Sequence, residues 1–309
     1  MIYVVIPVYN DWTSVFKLIQ EIRLCINYDM HFVIVDDSSS DYHDFEKFNQ
    51  IESELTIVKL TRNLGHQKAI SIGLSFASNF SNLEYAAVMD CDGEDRPSDL
   101  QKIINKCKDV NKIVFAQRAK RSEGAWFKVF YFLYRLAFKL FTGRTIHFGN
   151  FCVIPKPYLE QVVNLSEIWS HFSGGIVRSG VPYFLIPTSR GTRYFGNSKM
   201  NFLRLVLHGF SAVSVYADLM ALRLMLFSVM LSIGSILGLF IVLFIKFFTD
   251  YAIPGWATFS LLALFTVLIL SVFFCFTLLF NLLAIKNQRS VIPIVDYKDY
   301  IKSTLKVSI

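Results

Sequence analysis

The segment Asp90-Cys91-Asp92-Gly93-Glu94-Asp95 places four carboxylates within six residues, between the apolar run Tyr85–Met89 and Pro97. Asp-x-Asp supplies the hard oxygen ligands that Mg²⁺ and Mn²⁺ prefer, and it leaves coordination positions for a substrate phosphate. A solvated acidic turn before the helix that begins near Pro97 fits the same residues, and Asp95 is expected to cap that helix. The segment alone does not decide between a metal site and a cap.

A second acidic pair, Asp36-Asp37, follows the apolar run Phe32–Val35 and precedes Ser38-Ser39-Ser40. These residues fit a helix cap, and they equally fit carboxylates that accept hydrogen bonds from a ribose or a base. Because ligands of open α/β sheets bind outside the carboxyl ends of the strands, two acidic strand ends favour nucleotide binding.

Apolar runs and helical periods alternate through the first part of the chain. The runs that predict strands are Ile2–Val8, Phe32–Val35, Ile57–Leu60, Tyr85–Met89 and Ile113–Ala116, and amphipathic helices are expected over 11–27, after Gln67 to about Phe80, and after Pro97. This alternation predicts an α/β fold with a mostly parallel, right-handed sheet. The polar ends of the strands would then collect at one edge of it.

Two apolar runs, Leu224–Ile245 and Trp256–Ile285, contain no charged residue. Each exceeds the roughly 20 residues that cross a bilayer core. The short connection 246–255 makes them a transmembrane hairpin, in which Gly234 and Gly238 form a small-residue face for helix packing. Lysine and arginine flank the hairpin on both long sides, which predicts that the large amino-terminal domain and the tail are cytoplasmic.

The sequence thus predicts an integral membrane protein with four parts: a catalytic domain at 1–190, a juxtamembrane segment at 191–223, the hairpin at 224–285, and a tail at 286–309. Aromatic and basic residues at 124–143 and 200–222 predict helices in the membrane interface, with packing against the sheet as the alternative for the first. Self-association of the hairpins is left open.

The formal net charge of +7 fits anionic lipid and phosphorylated substrates better than nucleic acid, because the chain carries membrane-length runs. The basic stretch Arg190–Lys199 contains glycine and hydroxyl residues suited to phosphate recognition, although a simple positive anchor at the membrane is the alternative. The five scattered cysteines are expected to be reduced thiols without a metal role.

Several motifs in order resemble family 2 glycosyltransferases of the GT-A fold. They are Ile6-Pro7-Val8-Tyr9-Asn10, Val35 to Asp41, Arg62-Asn63-Leu64-Gly65 and Asp90-Cys91-Asp92. The later Gly149-Asn150-Phe151, Arg193 and Gly196-x-Ser198-Lys199, before an apolar hairpin, are similar to polyprenyl-phosphate glycosyltransferases, whose members include dolichyl-phosphate mannose synthase and bactoprenyl-phosphate glucosyltransferases.

The resemblance implies a role for each matching residue. The nucleoside of a sugar nucleotide, with uridine favoured over guanosine diphosphate, would contact Pro7, Tyr9, Asp36 and Asp37. Asp90 would contact the ribose or sugar, and Asp92 with Glu94, where the family often has Gln, would hold Mg²⁺ or Mn²⁺. Arg118 and Arg121 match basic residues after the fifth strand, and the polyprenyl phosphate would meet Arg121, Arg193, Ser198 and Lys199.

Two departures accompany this resemblance. Gly93 and Arg96 replace the usual Leu and Pro, and Asn150 stands where many relatives carry Asp, which could act as a base. A phosphate monoester has a second pKa near 6, so this nucleophile needs positioning more than deprotonation. The resemblance implies an inverting transfer of sugar to a polyprenyl phosphate. A polysaccharide synthase and a catalytically silent membrane scaffold are the alternatives.

Overall fold

The computed structural model describes residues 1–41, 48, 54–118, 136, 138–140, 142–145, 148–196, 209–251 and 253–307. The chain divides into two compact units. The first contains Met1–Phe130, Thr145–Val215 and Ser290–Ile309, and the second contains Tyr131–Arg144 and Tyr216–Arg289.

The described residues of the first unit build one sheet of eight strands. They are β1 Ile2–Val8, β2 Met30–Asp36, β3 Glu54–Leu60, β4 Tyr85–Val88, β5 Ile113–Arg118, β6 Cys152–Pro155, β7 Tyr183–Thr188 and β8 Ile301–Val307. The order across the sheet is β7-β5-β6-β4-β1-β2-β3-β8. The pairs β4/β1, β1/β2, β2/β3 and β5/β7 are parallel, whereas β6 and β8 run antiparallel to their neighbours. The predicted mostly parallel α/β sheet is confirmed.

Helices cover both faces of this sheet. They are α1 Trp12–Cys25, α2 His66–Ala77, α3 Pro97–Val110, α4 Lys156–Val162 and α5 Phe172–Ser179. Because side chains alternate along a strand, Val4 and Ile6 of β1 pack with α1 and α3, and Tyr3 and Val5 pack with α2, α4 and α5. A Cβ at Gly73 would lie 2.4 Å from the Val5 side chain, so the approach of α2 to β1 requires glycine there.

The tail after the second apolar run returns to the sheet. It forms the short helix Pro293–Asp296, numbered α8 because the two helices of the second unit precede it in the chain, and then β8. Strand β8 pairs antiparallel with β3. The Thr61 amide donates to the Tyr300 carbonyl at 2.9 Å, and Asn79 donates to the Tyr297 hydroxyl at 3.0 Å. Strands that precede the two long apolar helices in the chain, β1 to β7, and the strand that follows them, β8, therefore belong to one sheet.

The second unit contains the two long apolar helices α6 Ala217–Phe248 and α7 Trp256–Asn287. Each has 32 residues, about 48 Å at 1.5 Å per residue, and is long and apolar enough to cross a membrane. Of the segments predicted to lie in the interface, most of 124–143 and residues 200–208 lie outside the described residues. Helix α6 begins at Ala217, seven residues before the predicted start of the span.

Serines and one glycine bring α6 and α7 together. Ser228 Oγ donates to the Ser271 carbonyl, and Ser232 Oγ lies 2.7 Å from Ser271 Oγ. A Cβ at Gly238 would lie 3.1 Å from Leu264, whereas one at Gly234 would lie within 4 Å of no described residue. Of the predicted small-residue face, Gly238 therefore lies at the contact between α6 and α7, and Gly234 does not.

Candidate active site

The acidic segment forms the loop between β4 and α3, at the carboxyl end of β4. Asp95 is 1% exposed, and its Oδ2 accepts the Asp90 backbone N–H at 3.1 Å. Helix α3 begins after Arg96 without a side-chain cap. The Asp95 carboxylate therefore turns back and closes the loop, and its capping of α3 stays a prediction.

Residues Arg190–Tyr194, here called the arginine loop, lie against this acidic loop. Arg193 Nη2 is 2.5 Å from Asp92 Oδ2. Arg190 forms a bidentate ion pair with Glu94, from Nη2 to Oε1 at 2.6 Å and from Nε to Oε2 at 3.0 Å. Two backbone bonds join the same loops, from the Gly191 amide to the Glu94 carbonyl and from the Tyr194 amide to the Asp92 carbonyl.

Two glycines allow this close approach. A Cβ at Gly191 would lie 2.2 Å from the Gly93 carbonyl oxygen, and a Cβ at Gly93 would lie 2.8 Å from the Tyr194 ring. Gly93 also has φ of 84°, which glycine adopts at little cost. The shape of the loop therefore depends on Gly93, one of the two departures from the family pattern.

Asp92 and Glu94 converge on one cationic group. Besides its contact with Asp92, Arg193 places Nε 3.9 Å from Glu94 Oε1. Burial and repulsion from Asp90 and Glu94 raise the pKa of Asp92, although the Glu94 amide and Arg193 act in the opposite direction. The loop thus carries an excess of negative charge that a cation would stabilise.

The arginine loop is also fixed to α1. Tyr194 donates its hydroxyl hydrogen to Glu21 Oε2 at 2.5 Å, and Lys17 Nζ lies 4.6 Å from the centroid of the Tyr194 ring. Burial and then Glu21 raise the pKa of Tyr194, so this hydroxyl keeps its proton at neutral pH. A cavity of about 460 Å³ lies between α1, the start of α3 and this loop.

Asp36 and Asp37 at the end of β2 both accept backbone hydrogen bonds. Asp36 Oδ1 accepts from the Ser39 amide at 2.8 Å, while Asp37 accepts from Leu64 at 2.7 Å and from Gly65 at 2.9 Å. Both residues are buried. Asp37 therefore holds the segment that leads from β3 into α2.

His66, the first residue of α2, is a site residue that the sequence prediction missed. Its Nε2 lies 3.1 Å from Asp90 Oδ1 and 3.1 Å from Asn150 Nδ2. The only signal in the sequence was its position directly after the quoted Arg62-Asn63-Leu64-Gly65. Arg190 was noted as part of a basic stretch, but nothing paired it with Glu94.

The remaining predicted site residues are placed less completely. Pro7 lies on β1, and Tyr9 follows it with 45% of its surface exposed. Arg118 ends β5, where it pairs in register with Thr188, and its side chain lies outside the described residues. Arg121, Ser198 and Lys199 lie outside the described residues altogether.

A mostly parallel sheet with an acidic loop at the carboxyl end of a central strand defines an α/β protein of the GT-A class. Residues 3–163, more than half of the chain, match the sequence profile of Glycosyl transferase family 2. The chain belongs to this family. It is also 25% identical over 271 residues to the uncharacterized glycosyltransferase YkcC of Bacillus subtilis, covering 82% of this chain and 80% of that protein.

Two solved structures align with this chain at low sequence identity. Glucosyl-3-phosphoglycerate synthase from Mycobacterium tuberculosis, in complex with Mn²⁺, UDP-glucose and phosphoglyceric acid, aligns with a TM-score of 0.50 and 11% identity, covering 71% of this chain and 79% of that one. TarS 1–349 from S. aureus aligns with a TM-score of 0.43 and 13% identity, covering 72% of this chain and 65% of that one.

The acidic loop fits a divalent cation. Asp92 and Glu94 offer oxygen ligands, and they already converge on the guanidinium of Arg193. Within the described part of the chain, no group of three or more His, Cys, Asp or Glu side chains is arranged to hold a metal. Since Mg²⁺ commonly takes one or two carboxylates and completes its shell with water and substrate phosphates, two ligands from this loop suffice.

Proposed function

We propose that this chain transfers a sugar from a nucleoside diphosphate sugar to a polyprenyl phosphate at a membrane surface, with inversion at the anomeric carbon. The observation that carries this proposal is the contact of the arginine loop with Asp92 and Glu94. The same loop leads along the chain from Tyr194 to the membrane-length helix that begins at Ala217. In the sequence, arginines that could bind phosphate therefore follow the acidic loop and precede the apolar hairpin.

The donor is assigned from the family and from the acidic strand ends. Pro7, Tyr9, Asp36 and Asp37 would contact the nucleoside, with uridine diphosphate favoured because a protein of similar fold binds UDP-glucose. Asp92 and Glu94 would hold Mg²⁺ or Mn²⁺. When bound there, the cation would neutralise charge that builds on the departing diphosphate.

The protein's own residues position the acceptor. Arg193, with Arg118, Arg121, Ser198 and Lys199, would hold the lipid phosphate, which is mostly dianionic at neutral pH. The arginines also supply positive charge near the phosphates as the glycosidic bond breaks. Holding the phosphate oxygen in line with that bond lowers the barrier mainly through orientation, and attack from the opposite face inverts the carbon.

The tail supports the proposed membrane placement. Residues up to Val215, before α6, and residues from Ser290, after α7, belong to the same compact unit, in which β8 pairs with β3. Helices α6 and α7 would therefore enter and leave the bilayer on one side, as a hairpin. The basic flanks favour the cytoplasmic side for the sheet and the tail.

The test is to incubate membranes that contain this protein with undecaprenyl or dolichyl phosphate and a panel of radiolabelled sugar nucleotides, with and without EDTA. We expect labelled lipid with at least one donor and a large loss of product with EDTA. An absence of labelled lipid with every donor would contradict the transferase assignment to this acceptor class. Equal product with EDTA would contradict the metal role alone.

A further inference from the structure

Tyr194 connects the arginine loop both to the acidic loop and to α1. Its backbone amide donates to the Asp92 carbonyl at 2.9 Å, and its ring lies 2.8 Å from the place where a Cβ at Gly93 would be. Its hydroxyl group donates to Glu21 Oε2 at 2.5 Å, and Lys17 Nζ lies 4.6 Å from the centroid of the ring. This one residue therefore joins two loops to a helix.

Helix α1 is the rigid end of this connection. Glu21 lies on α1, and its neighbours Leu18 and Ile22 are fully buried in the core beside β1. A helix that is packed on a sheet by buried side chains moves less than a loop that is held by another loop. The hydrogen bond from Tyr194 to Glu21 therefore ties the arginine loop to the core of the protein.

Two ion pairs of the arginine loop end on groups that the proposed function needs for its ligands. Arg193 contacts Asp92, and Arg190 contacts Glu94. Arg193 must leave Asp92 when a cation binds there, so this ion pair cannot keep the loop in place during the reaction. The hydrogen bond to α1 is different, because neither of its two side chains is a proposed ligand.

We propose that Tyr194 and Glu21 are positioning residues, which hold the arginine loop beside the acidic loop while Arg193 exchanges Asp92 for a substrate phosphate. This assignment rests on the proposed function. Tyr194 directly follows Arg193, so fixing Tyr194 also fixes the point at which the Arg193 side chain begins. From that point the guanidinium can turn from the carboxylate to a phosphate by rotation of its side chain, without movement of the loop.

Tyr194→Phe tests this assignment because it removes the hydroxyl group and keeps the ring that packs on Gly93. We expect kcat to be about ten- to a hundredfold lower, since a displacement of about 1 Å can cost that much. KM for the nucleotide sugar should stay within about twofold of the wild-type value, because the proposed nucleoside contacts are unchanged.

Changes at Glu21 supply a matched pair of variants. Glu21→Ala removes the acceptor of the Tyr194 hydroxyl hydrogen and should lower kcat as much as Tyr194→Phe does. Glu21→Gln keeps a carbonyl oxygen that can accept this hydrogen, so it should retain most of the wild-type kcat. The double variant Tyr194→Phe, Glu21→Ala should resemble either single variant, because all three lack the same hydrogen bond.

A second double variant shows whether Tyr194 acts through Arg193. In Arg193→Gln the guanidinium is absent, so adding Tyr194→Phe should change kcat by less than about twofold. If Tyr194 only stabilised the fold, Tyr194→Phe would lower kcat by the same factor with and without the guanidinium. The comparison therefore separates a positioning role from a structural one.

Amide hydrogen exchange of the purified protein in detergent follows the loop without substrate or metal ion. The amides of Gly191 and Tyr194, which donate to the acidic loop, should exchange faster in Tyr194→Phe. Tyr28→Phe is the matched control, since the Tyr28 hydroxyl donates to Asn105 of α3 at 2.9 Å. It should keep the wild-type exchange of the arginine loop and the wild-type kcat.

Three results would overturn the inference. They are a wild-type kcat in Tyr194→Phe, a loss of equal size with and without Arg193, and unchanged exchange of the Gly191 and Tyr194 amides. If the wild-type protein forms labelled lipid, each of these results leaves the transferase assignment intact. A wild-type protein that forms no labelled lipid would contradict the proposed function and, with it, this inference.

Discussion

Replacing Arg193 with glutamine should increase the affinity of the donor-free protein for Mn²⁺ by about tenfold. The side chains of Arg193 and Asp92 are 24% and 16% exposed and lie 2.5 Å apart. A hydrogen bond to a charged group at such a site contributes about 1.5–3 kcal/mol. A cation that takes Asp92 and Glu94 must displace this contact. Glutamine restores part of the hydrogen bonding, so a net change of about 1.4 kcal/mol, or tenfold, is expected.

The assay is the electron paramagnetic resonance signal of free Mn²⁺, titrated with purified protein in detergent without nucleotide. Arg190→Gln is the matched control. Its guanidinium is 45% exposed and contacts only Glu94 among the described carboxylates, so a two- to threefold increase is expected. Lys102→Gln, which changes a pair with Asp99 on α3, should leave Mn²⁺ affinity unchanged.

The rate of sugar transfer by Arg193→Gln should fall although its affinity for Mn²⁺ rises. If Arg193 also holds the acceptor phosphate, Arg193→Gln should bind Mn²⁺ more tightly and yet transfer sugar more slowly. A merely unfolded variant would lose both properties. Unchanged or weaker Mn²⁺ binding in a folded Arg193→Gln protein would refute the reasoning, because the guanidinium and the cation would then not share the carboxylates.

Three further changes test other parts of the molecule. Asp92→Asn should lower turnover by orders of magnitude at unchanged expression, measured as labelled lipid, because the carboxylate proposed to hold the metal ion is lost. Asp37→Asn should lower the free energy of unfolding by about 1–3 kcal/mol in chemical denaturation, since the Leu64 and Gly65 amides lose a charged acceptor. Deleting residues 301–309 should expose the edge of β3 and cause aggregation on size-exclusion chromatography in detergent, while an intact monodisperse profile would contradict a stabilising role for β8.

The central strands and the apolar helices could be predicted because burial dictates their composition. Strands β1 and β2 are buried along their whole length, and parallel strands of this kind read as continuous apolar runs. Length and the absence of charged residues together identified α6 and α7, although α6 begins earlier than its charge-free run because Arg223 and Asp218 are compatible with helix. Both features, a continuous apolar run and a long stretch without charge, can be read from neighbouring residues in the sequence.

The outer strands and the contacts between loops could not be predicted in this way. Strand β8 has only its ends half-buried and lacks the apolar run of a core strand, whereas β7 contains the apolar run Tyr183–Ile186 although it is largely exposed. The contact of Arg193 with Asp92 joins residues that are 101 positions apart. The folding of the whole chain decides whether a basic residue contacts a phosphate, a membrane or a carboxylate. The residues next to it in the sequence do not carry that information.

The carboxylates at the sheet edge divide according to the groups that hold them. Asp36, Asp37 and Asp95 accept backbone N–H groups, which cannot leave without unfolding the loop.

Asp90, Asp92 and Glu94 instead have oxygens facing the side-chain groups of His66, Arg193 and Arg190, which can rotate away when a ligand arrives, although the second oxygen of Asp92 also accepts the Glu94 amide. Substitution in the first set should therefore lower stability before it lowers binding, and substitution in the second set should do the reverse. Because parallel strands bring both sets to one edge, the first can hold the edge rigid while the second exchanges its partners for donor, metal and acceptor phosphate.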